Sequence, residues 1–294
     1  MMLRNRTGLL VFILVFFSLA AWAQRGEGPL RETPPANVSP QEIINRFAAK
    51  EKEFAEAREK HYTYRETAKI MTVDGDTVDG EYQQTWDITF DNTGRRYTNV
   101  VYAPASTLTR VSMTKEDLDD VQNVMPFVLT TDEIPDYNIQ YVGQQHVDEL
   151  DTYVFDVSPR HIDKRRRYFD GRIWVDSQDL QIVKTDGKSV PDLRSGSGEN
   201  LFPRFTTYRQ QIDGQYWFPT YTYADDNLHF RSGDVHIRII LRYTNYKRFG
   251  SDVKITYDGH TVQPGDAQTG DAQPGAAPSS APRSQPGTVQ PPQQ

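Results

Sequence analysis

Two short stretches of the sequence carry residue types that catalytic or metal sites use. Residues 195–198, Ser-Gly-Ser-Gly, offer hydroxyl nucleophiles but lack the strand-to-helix context of a nucleophile elbow. Asp225 and Asp226 with His229 come nearest to a set of metal ligands, although such residues are also typical of a hairpin turn. The chain has no cysteine, and its six histidines are dispersed. The sequence therefore predicts no catalytic group, no metal and no cofactor, and an enzyme is the least favoured class.

A basic run stands out in an acidic chain. Its cations fall in the loop between two predicted strands and at the start of the second: Arg160, Lys164, Arg165, Arg166 and Arg167. One interpretation is a solvated hairpin tip. The other is a docking patch for anionic head groups or an acidic partner, because each cation near an anionic surface contributes about 1 kcal/mol. The second interpretation predicts peripheral contact with a membrane.

Aromatic and branched side chains recur at alternate positions of the predicted strands. They form either ordinary sheet core or the lining of a cavity for acyl chains, and periodicity does not separate the two. The candidates for a ligand cavity are Tyr62, Tyr64, Trp86, Ile88, Phe90, Tyr153, Phe155, Trp174, Trp217, Ile237 and Ile239.

Two helices are available to cover these strands. The first begins after Ser39, an N-cap residue, with Pro40 in the first helical position. The second begins at Thr114 and should end or kink at Pro126. Residues 127–129 then predict a buried plug. The candidates for a helical lid are Ile43, Phe47, Leu118, Val121 and Met125.

Alternation with a period of two predicts the strands that the helices cover. Short turns join most of them, which indicates an antiparallel meander. About ten strands with one apolar face curl, because a twisted sheet of that size does not stay flat. We therefore expect a mainly β (α+β) fold, a strongly curved antiparallel half-barrel of about ten strands with helices over its concave face. The predicted strands are 62–70, 82–90, 96–102, 138–144, 152–158, 166–176, 180–186, 204–212, 216–225 and 235–246.

The segment from Met1 to Ala23 has the features of a cleavable secretory signal peptide. Arg4 and Arg6 precede an apolar run at 9–17, and residues 21–23, Ala-Trp-Ala, supply a cleavage pattern. The run is too short to span the roughly 30 Å core of a bilayer. The absence of cysteine excludes a lipid-anchored cysteine and disulfides, and it is ordinary for a bacterial periplasmic protein. We predict a periplasmic protein of the bacterial envelope.

The composition of the chain after the signal peptide indicates its net charge and its division into a linker, a domain and a tail. Loss of Arg4 and Arg6 with the signal peptide reduces the basic residues from 33 to 31 against 40 acidic ones, a net charge of −9, which argues against nucleic-acid binding. Residues 24–38 predict a linker, and residues 39–257 predict one domain. Residues 258–294 are rich in Pro, Gly and Gln and cannot bury enough apolar area to fold, so we expect a disordered tail.

The strand sequences of the second half resemble those of a known superfamily. Residues 168–176, Tyr-Phe-Asp-Gly-Arg-Ile-Trp-Val-Asp, lead through a turn into the strand at 180–184, and residues 212–220 form a hairpin that reaches Trp-Phe-Pro. This pattern resembles the outer-membrane lipoprotein-sorting superfamily, the LolA-like periplasmic proteins, which also includes LolB-like and RseB-like domains. The resemblance covers residues 39–250 and is to a divergent branch.

The resemblance implies an unclosed half-barrel with helices as a lid over an apolar cavity. The activity it implies is non-covalent binding of acyl chains, of lipoproteins or other lipids, without catalysis. The family carrier latches its lid with a cavity arginine, but no motif in this sequence assigns that role to a particular residue.

Two functions follow from these observations. The first is a periplasmic protein that binds lipid or acylated protein in an apolar cavity under a helical lid. The alternative is an envelope scaffold or stress-sensing domain that binds a peptide or protein partner on the same sheet. An open cavity favours the first function, and a cavity filled by the protein's own side chains favours the second.

Overall fold

The computed structural model describes residues 26–91, 93–195, 198–249, 255–257 and 260–262. The predicted signal peptide and most of the predicted tail lie outside this part of the chain. The chain divides into two compact units, residues 1–249 and 250–294. The first unit contains both helices and the large sheet. Within the described ranges, no helix has the length and apolarity needed to cross a membrane.

Ten strands form one open antiparallel sheet, which confirms the predicted half-barrel. The order is β3-β2-β1-β12-β11-β10-β7-β6-β5-β4, so that the last long strand returns beside the first and the two edges are β3 and β4. Strands β8 and β9 pair with each other, as do β13 and β14 in the second unit. The bounds are β1 Tyr62–Asp74, β2 Thr77–Phe90, β3 Arg96–Tyr102, β4 Tyr137–Val147, β5 Leu150–Pro159, β6 Tyr168–Asp176, β7 Ile182–Val190, β8 Leu193–Ser195, β9 Gly198–Asn200, β10 Phe205–Gln211, β11 Trp217–Phe230, β12 Gly233–Arg248, β13 Ile255–Tyr257 and β14 His260–Val262.

Helix α1, Pro40–His61, lies over one face of the sheet, which we call the concave face. The Ser39 hydroxyl accepts a hydrogen bond from the Glu42 amide at 3.1 Å, so the predicted cap is present. The helix buries one face because its apolar residues recur at three- and four-residue spacing. The buried residues are Ile43, Ile44, Phe47, Ala48, Glu51 and Phe54.

Helix α2, Lys115–Asn123, lies between β3 and β4 in the chain and packs on the same face. Thr114 and Asp117 close a capping box, with the Asp117 amide donating to the Thr114 hydroxyl at 3.1 Å. The helix ends three residues before Pro126, as the sequence predicts. Phe127 and Leu129 then enter the core, at 5% and 0% exposure.

The two edges of the sheet are treated differently. Residues 26–33, in the predicted linker, lie along β4, where the Gly28 amide donates to the His146 carbonyl oxygen at 2.8 Å. A Cβ at Gly143 would lie only 2.3 Å from the Arg31 carbonyl oxygen, so the close approach requires glycine. At the other edge, β3 is largely exposed. One edge is therefore covered by the chain itself, and no segment among the described residues pairs with the outer edge of β3.

Candidate functional site

The centre of the concave face is filled by the protein's own side chains. Phe47 of α1 packs its ring against Phe155 of β5, with centroids 5.6 Å apart. Val121 and Met125, from α2 and the residues after it, are fully buried in the same cluster. Because the centre is closely packed, the predicted cavity does not lie there. Open space lies beside the helices instead.

A cavity of about 670 Å³ lies at one side of α2. We call it the apolar cavity after its floor, although Arg110, Asp117, Glu199, Asn200 and Arg231 also line it. Its floor is formed by Ile70 of β1 with Ile237 and Ile239 of β12, and residues 108–113, which precede α2, lie over it. The volume is within the range of about 300–1,000 Å³ that small-molecule sites occupy. The apolar lining residues are Ile70, Leu108, Val111, Met113, Leu201, Phe202, Phe230, Ile237 and Ile239.

Residues 108–113 are held over this cavity by a few polar contacts. Arg110 donates to the Val73 carbonyl oxygen at 2.9 Å and forms an ion pair with Asp79, also at 2.9 Å. Asn200 donates to Asp117 at 2.8 Å and so ties the cavity wall to α2. Leu108, Val111 and Met113 remain only partly buried. We call residues 108–113 the flap.

A larger cavity of about 1040 Å³ lies at the other side of α2. Apolar and aromatic side chains such as Tyr64, Phe90 and Phe127 share its wall with charged residues. Six cationic and five acidic residues line it, in a chain whose net charge is −7. The cations are Arg58, Arg96, Lys164, Arg165, Arg166 and Arg167.

A buried ion pair fixes α1 to the sheet. Arg209 of β10 donates to both carboxylate oxygens of Glu51, each at 3.0 Å, and also to the Phe127 carbonyl oxygen. The Ile182 amide donates to the same carboxylate at 3.2 Å. Burial raises the pKa of Glu51, while the charge of Arg209 and these hydrogen bonds oppose the shift. Arg209 therefore links α1, the plug after α2 and the sheet.

A second buried pair lies at the wall of the larger cavity. Arg96 of β3 donates to the Glu66 carboxylate of β1 and to the Gln122 carbonyl oxygen, each at 3.3 Å. Glu66 is 0% exposed, and burial raises its pKa to about 7, although the charges of Arg96 and Arg58 act against this shift. Glu66 thus changes its charge near neutral pH.

The basic run divides into structural and exposed residues. Arg167 forms an ion pair with the buried Asp120 of α2 at 3.3 Å, and Arg166 forms one with Asp136 at 2.9 Å. The Arg160 guanidinium donates to the Tyr137 carbonyl oxygen at 2.7 Å. The run is therefore not one uniform patch.

The tip of the β5–β6 hairpin carries the exposed part of the run. Arg165 is paired only with its neighbour Asp163, at 2.9 Å, and its side chain is 89% exposed. Lys164 is exposed as well, and Ile162 beside it is 53% exposed. The exposed part of the run therefore consists of Lys164 and Arg165, with the exposed Ile162 in the same hairpin tip.

The structure distributes the eleven predicted cavity residues over several places. Only Tyr64 and Phe90 line the larger cavity, and only Ile237 and Ile239 line the apolar one. Tyr62 packs against Phe54 and Phe218 in a separate cluster. Those within or against the central core are Trp86, Ile88, Phe155 and, partly buried, Tyr153.

Trp174 and Trp217 lie apart from the concave core. Trp174 packs with Val147, Val154 and Val183, and Trp217 lies against this cluster. The Trp174 indole donates to Gln145 at 2.7 Å. Because Trp174 follows Ile173, a core residue, it points to the opposite face of the strand. These two tryptophans therefore line neither of the two cavities beside α2.

The predicted lid residues pack against the core. Ile43, Phe47, Val121 and Met125 are buried, and Leu118 is partly buried against them. The possibility of metal binding at Asp225, Asp226 and His229 gains no support: within the described ranges no group of three or more acidic or histidine residues has the arrangement of a metal site. These residues lie within β11 rather than in a turn.

Two buried glutamates, Glu51 and Glu66, are absent from the residues that the sequence predicts for the site. Glu51 falls on the apolar face of α1, four residues after Phe47 and three before Phe54. Glu66 falls between Tyr64 and Ala68 in the inward-facing phase of β1. An acidic residue in the phase of a buried face is the signal that identifies both positions.

Comparison with known proteins gives structural neighbours only. No family model and no curated protein matches the sequence. The chain is similar to a DUF1329 family protein from Desulfovibrio piger, with 15% identity, 74% of this chain and 96% of that chain covered, and a TM-score of 0.41. It is also similar to a putative outer membrane lipoprotein-sorting protein domain from Vibrio parahaemolyticus, with 11% identity, coverage of 67% and 90%, and a TM-score of 0.33. A LolA superfamily protein from Nitrosomonas europaea is 19% identical, with coverage of 71% and 93% and a TM-score of 0.32.

Proposed function

We propose that this protein is a non-catalytic binding protein for acyl chains that acts in the bacterial periplasm. The observation that carries this proposal is the apolar cavity under the flap. Aliphatic and aromatic side chains form its floor, while polar and charged side chains line part of its wall. Its volume of about 670 Å³ suits a ligand rather than a single water molecule. The cavity takes an unbranched chain without displacing the packed centre of the concave face.

The affinity expected of such a site is moderate. Each methylene group moved from water into an apolar cavity contributes about 0.8 kcal/mol, but the same group loses a similar amount on leaving a bilayer. Transfer between membrane and cavity is therefore close to balanced. A protein that both accepts and releases a chain needs this balance.

The exposed hairpin tip supports contact with a membrane surface. Ile162 would insert into the head-group region, while Lys164 and Arg165 would interact with anionic lipids. Arg167 is excluded from this role because its side chain is 12% exposed and paired with Asp120. The K164Q/R165Q variant should bind anionic vesicles more weakly, with a smaller salt dependence. R46Q/K50Q, with both changes on exposed positions of α1, is the control, and equal binding by the two variants would remove the tip from the proposal.

A cavity-filling variant tests the acyl site. Met113→Trp places a large ring in the flap, directly over the cavity, and should abolish uptake of a fluorescent fatty acid. Ile212→Trp adds the same ring at an exposed position and should leave uptake unchanged. Full uptake by Met113→Trp, with a folded protein by circular dichroism, would contradict the proposal.

The alternative of a partner-binding scaffold is favoured by two observations. The central concave face is self-filled, and the free edge strand β3 exposes apolar side chains, with Val100 at 51% and Tyr102 at 53%. Such an edge accepts an extended peptide by strand addition. Mass spectrometry of the protein purified from its native envelope separates the two functions, because only the acyl-binding function predicts co-purified lipid.

A further inference from the structure

We infer that the larger cavity is a second binding site, one for an oxyanion, either a phosphate or a carboxylate, held by Arg58 and Arg96. This site lies across α2 from the apolar cavity and does not depend on the proposed acyl site. Both arginines line the cavity of about 1040 Å³, Arg58 from α1 and Arg96 from β3.

The two guanidinium groups make few hydrogen bonds to the described residues. Arg58 lies over the Phe54 ring, 5.5 Å from its centroid, and within the described chain it forms no ion pair. Arg96 makes only its two bonds of 3.3 Å, to Glu66 and to Gln122. The Nε atoms of both arginines are buried without a hydrogen-bond partner among the described residues. Buried donors of this kind are nearly always satisfied in proteins, by protein, water or a bound ion.

The charged residues around Arg58 and Arg96 favour a bound anion. Glu66 is the only acid among the residues described here that pairs with either arginine, and burial favours its neutral form. Five acidic residues line the cavity, namely Glu59, Glu116, Asp119, Asp120 and Glu133, against the six cationic residues named above. When Glu66 is protonated, the lining therefore carries one more positive than negative charge.

The donor groups of Arg58 and Arg96 suit an oxyanion. Guanidinium groups present N–H pairs that match the oxygens of phosphate and carboxylate. Tyr64 and Phe90 stand in the same wall, so the site also accommodates an apolar group attached to the anion. A free anion and the head group of an amphiphile share this chemistry.

Calorimetric titration of the full chain with inorganic phosphate, dodecyl phosphate and dodecanol tests the inference. Both phosphates should bind, and dodecanol should not reach this site. Equal affinity for the two phosphates identifies a free-anion site, whereas much tighter binding of dodecyl phosphate identifies an amphiphile head group. Arg58→Gln should weaken binding about tenfold, since a hydrogen bond to a charged group is lost. Arg46→Gln, on an exposed position of the same helix, should not change it.

A gain of affinity excludes misfolding as an explanation. Glu66→Gln removes the competing negative charge, so it should strengthen phosphate binding several-fold at pH 8, where Glu66 is ionised. Met113→Trp should leave phosphate binding intact, so failure of the acyl proposal and failure of this one are distinguishable. Absence of phosphate binding, or equal binding by Arg58→Gln and Arg46→Gln, would overturn the inference.

Discussion

Two glutamate–arginine pairs are buried on the concave face, and they differ in how fully their polar atoms are bonded. Arg209 contacts both oxygens of Glu51 at 3.0 Å and also two backbone carbonyl oxygens. Arg96 reaches Glu66 only at 3.3 Å, and one oxygen of Glu66 has no partner among the described residues. Both pairs connect separate elements through buried charge.

The difference lies in what surrounds each pair. The Glu51–Arg209 pair lies between α1, the plug and the sheet. Protein groups there bond both Glu51 oxygens and both terminal nitrogens of Arg209, although its Nε has no partner among the described residues. The Glu66–Arg96 pair borders a cavity, where protein groups are missing on one side. We interpret the first pair as a structural lock for the helical cover and the second as part of a site that a ligand completes.

The largest expected effect comes from breaking the lock. Arg209→Met leaves the Glu51 carboxylate buried without its cation and with only the Ile182 amide bonded to it among the described residues. The variant should lower the free energy of unfolding by about 3–5 kcal/mol. The double variant Glu51→Met/Arg209→Met removes both charges and should recover most of this loss. Urea denaturation measures both variants. A single variant as stable as the wild type would show that the pair does not hold the cover.

The second prediction concerns pH and separates the two pairs through Glu66. Its pKa rises from 4.5 to about 7 on folding, so the folded state holds a proton that the unfolded state has lost between these values. The resulting stabilisation is present below pH 4.5 and is lost as pH rises through 7. The groups that face Glu66 are Arg58, Arg96 and the Tyr64, Tyr243 and Tyr246 hydroxyls.

The free energy of unfolding should fall by on the order of 3 kcal/mol between pH 4.5 and 7.5 because of Glu66, at about 1.4 kcal/mol per unit of pKa. In Glu66→Gln, the free energy of unfolding should change less over this pH range, by about the same amount. Other groups, such as Asp120 with its pKa of about 6, affect both proteins equally. Parallel pH profiles for the two proteins, measured by urea unfolding, would contradict the proposed burial of Glu66.

The third prediction extends the contrast to the basic run. Arg167→Ala removes the cation beside Asp120, which also accepts from the Ser189 hydroxyl at 2.9 Å. It should lower the free energy of unfolding by about 1–3 kcal/mol. Arg165→Ala removes an exposed cation and should leave the unfolding midpoint unchanged. Equal loss in both variants would mean that the run is a single patch after all.

The architecture could be predicted from the sequence because alternation and capping signals act locally. Ser39 and Thr114 cap their helices as predicted, and the ten-stranded sheet follows from period-two strands joined by short turns. Several strands run further than predicted. In particular, β1 continues to Asp74, and β11 continues past Asp226 to Phe230. Cross-strand pairing to β12 supplies their backbone hydrogen bonds despite polar sequences.

The site was harder to predict because it depends on contacts between distant parts of the chain. Arg209 meets Glu51 across 158 positions, and no local pattern indicates such a pairing. Alternation identified inward-facing residues, but it does not show which of them the helices cover. Trp86 and Phe155 are covered, whereas Ile237 and Ile239 border open space.

The most direct measurement asks whether an acyl chain lies under the flap rather than in the packed centre of the sheet. Because the chain has no native cysteine, a single fluorescent label can be attached to Met113→Cys on the flap or to Ile212→Cys on an exposed loop. Quenching by a brominated fatty acid then reports which position the chain approaches. We predict saturable quenching at residue 113 and none at residue 212. Equal quenching at both positions, or none at residue 113 while the fatty acid binds, would contradict it.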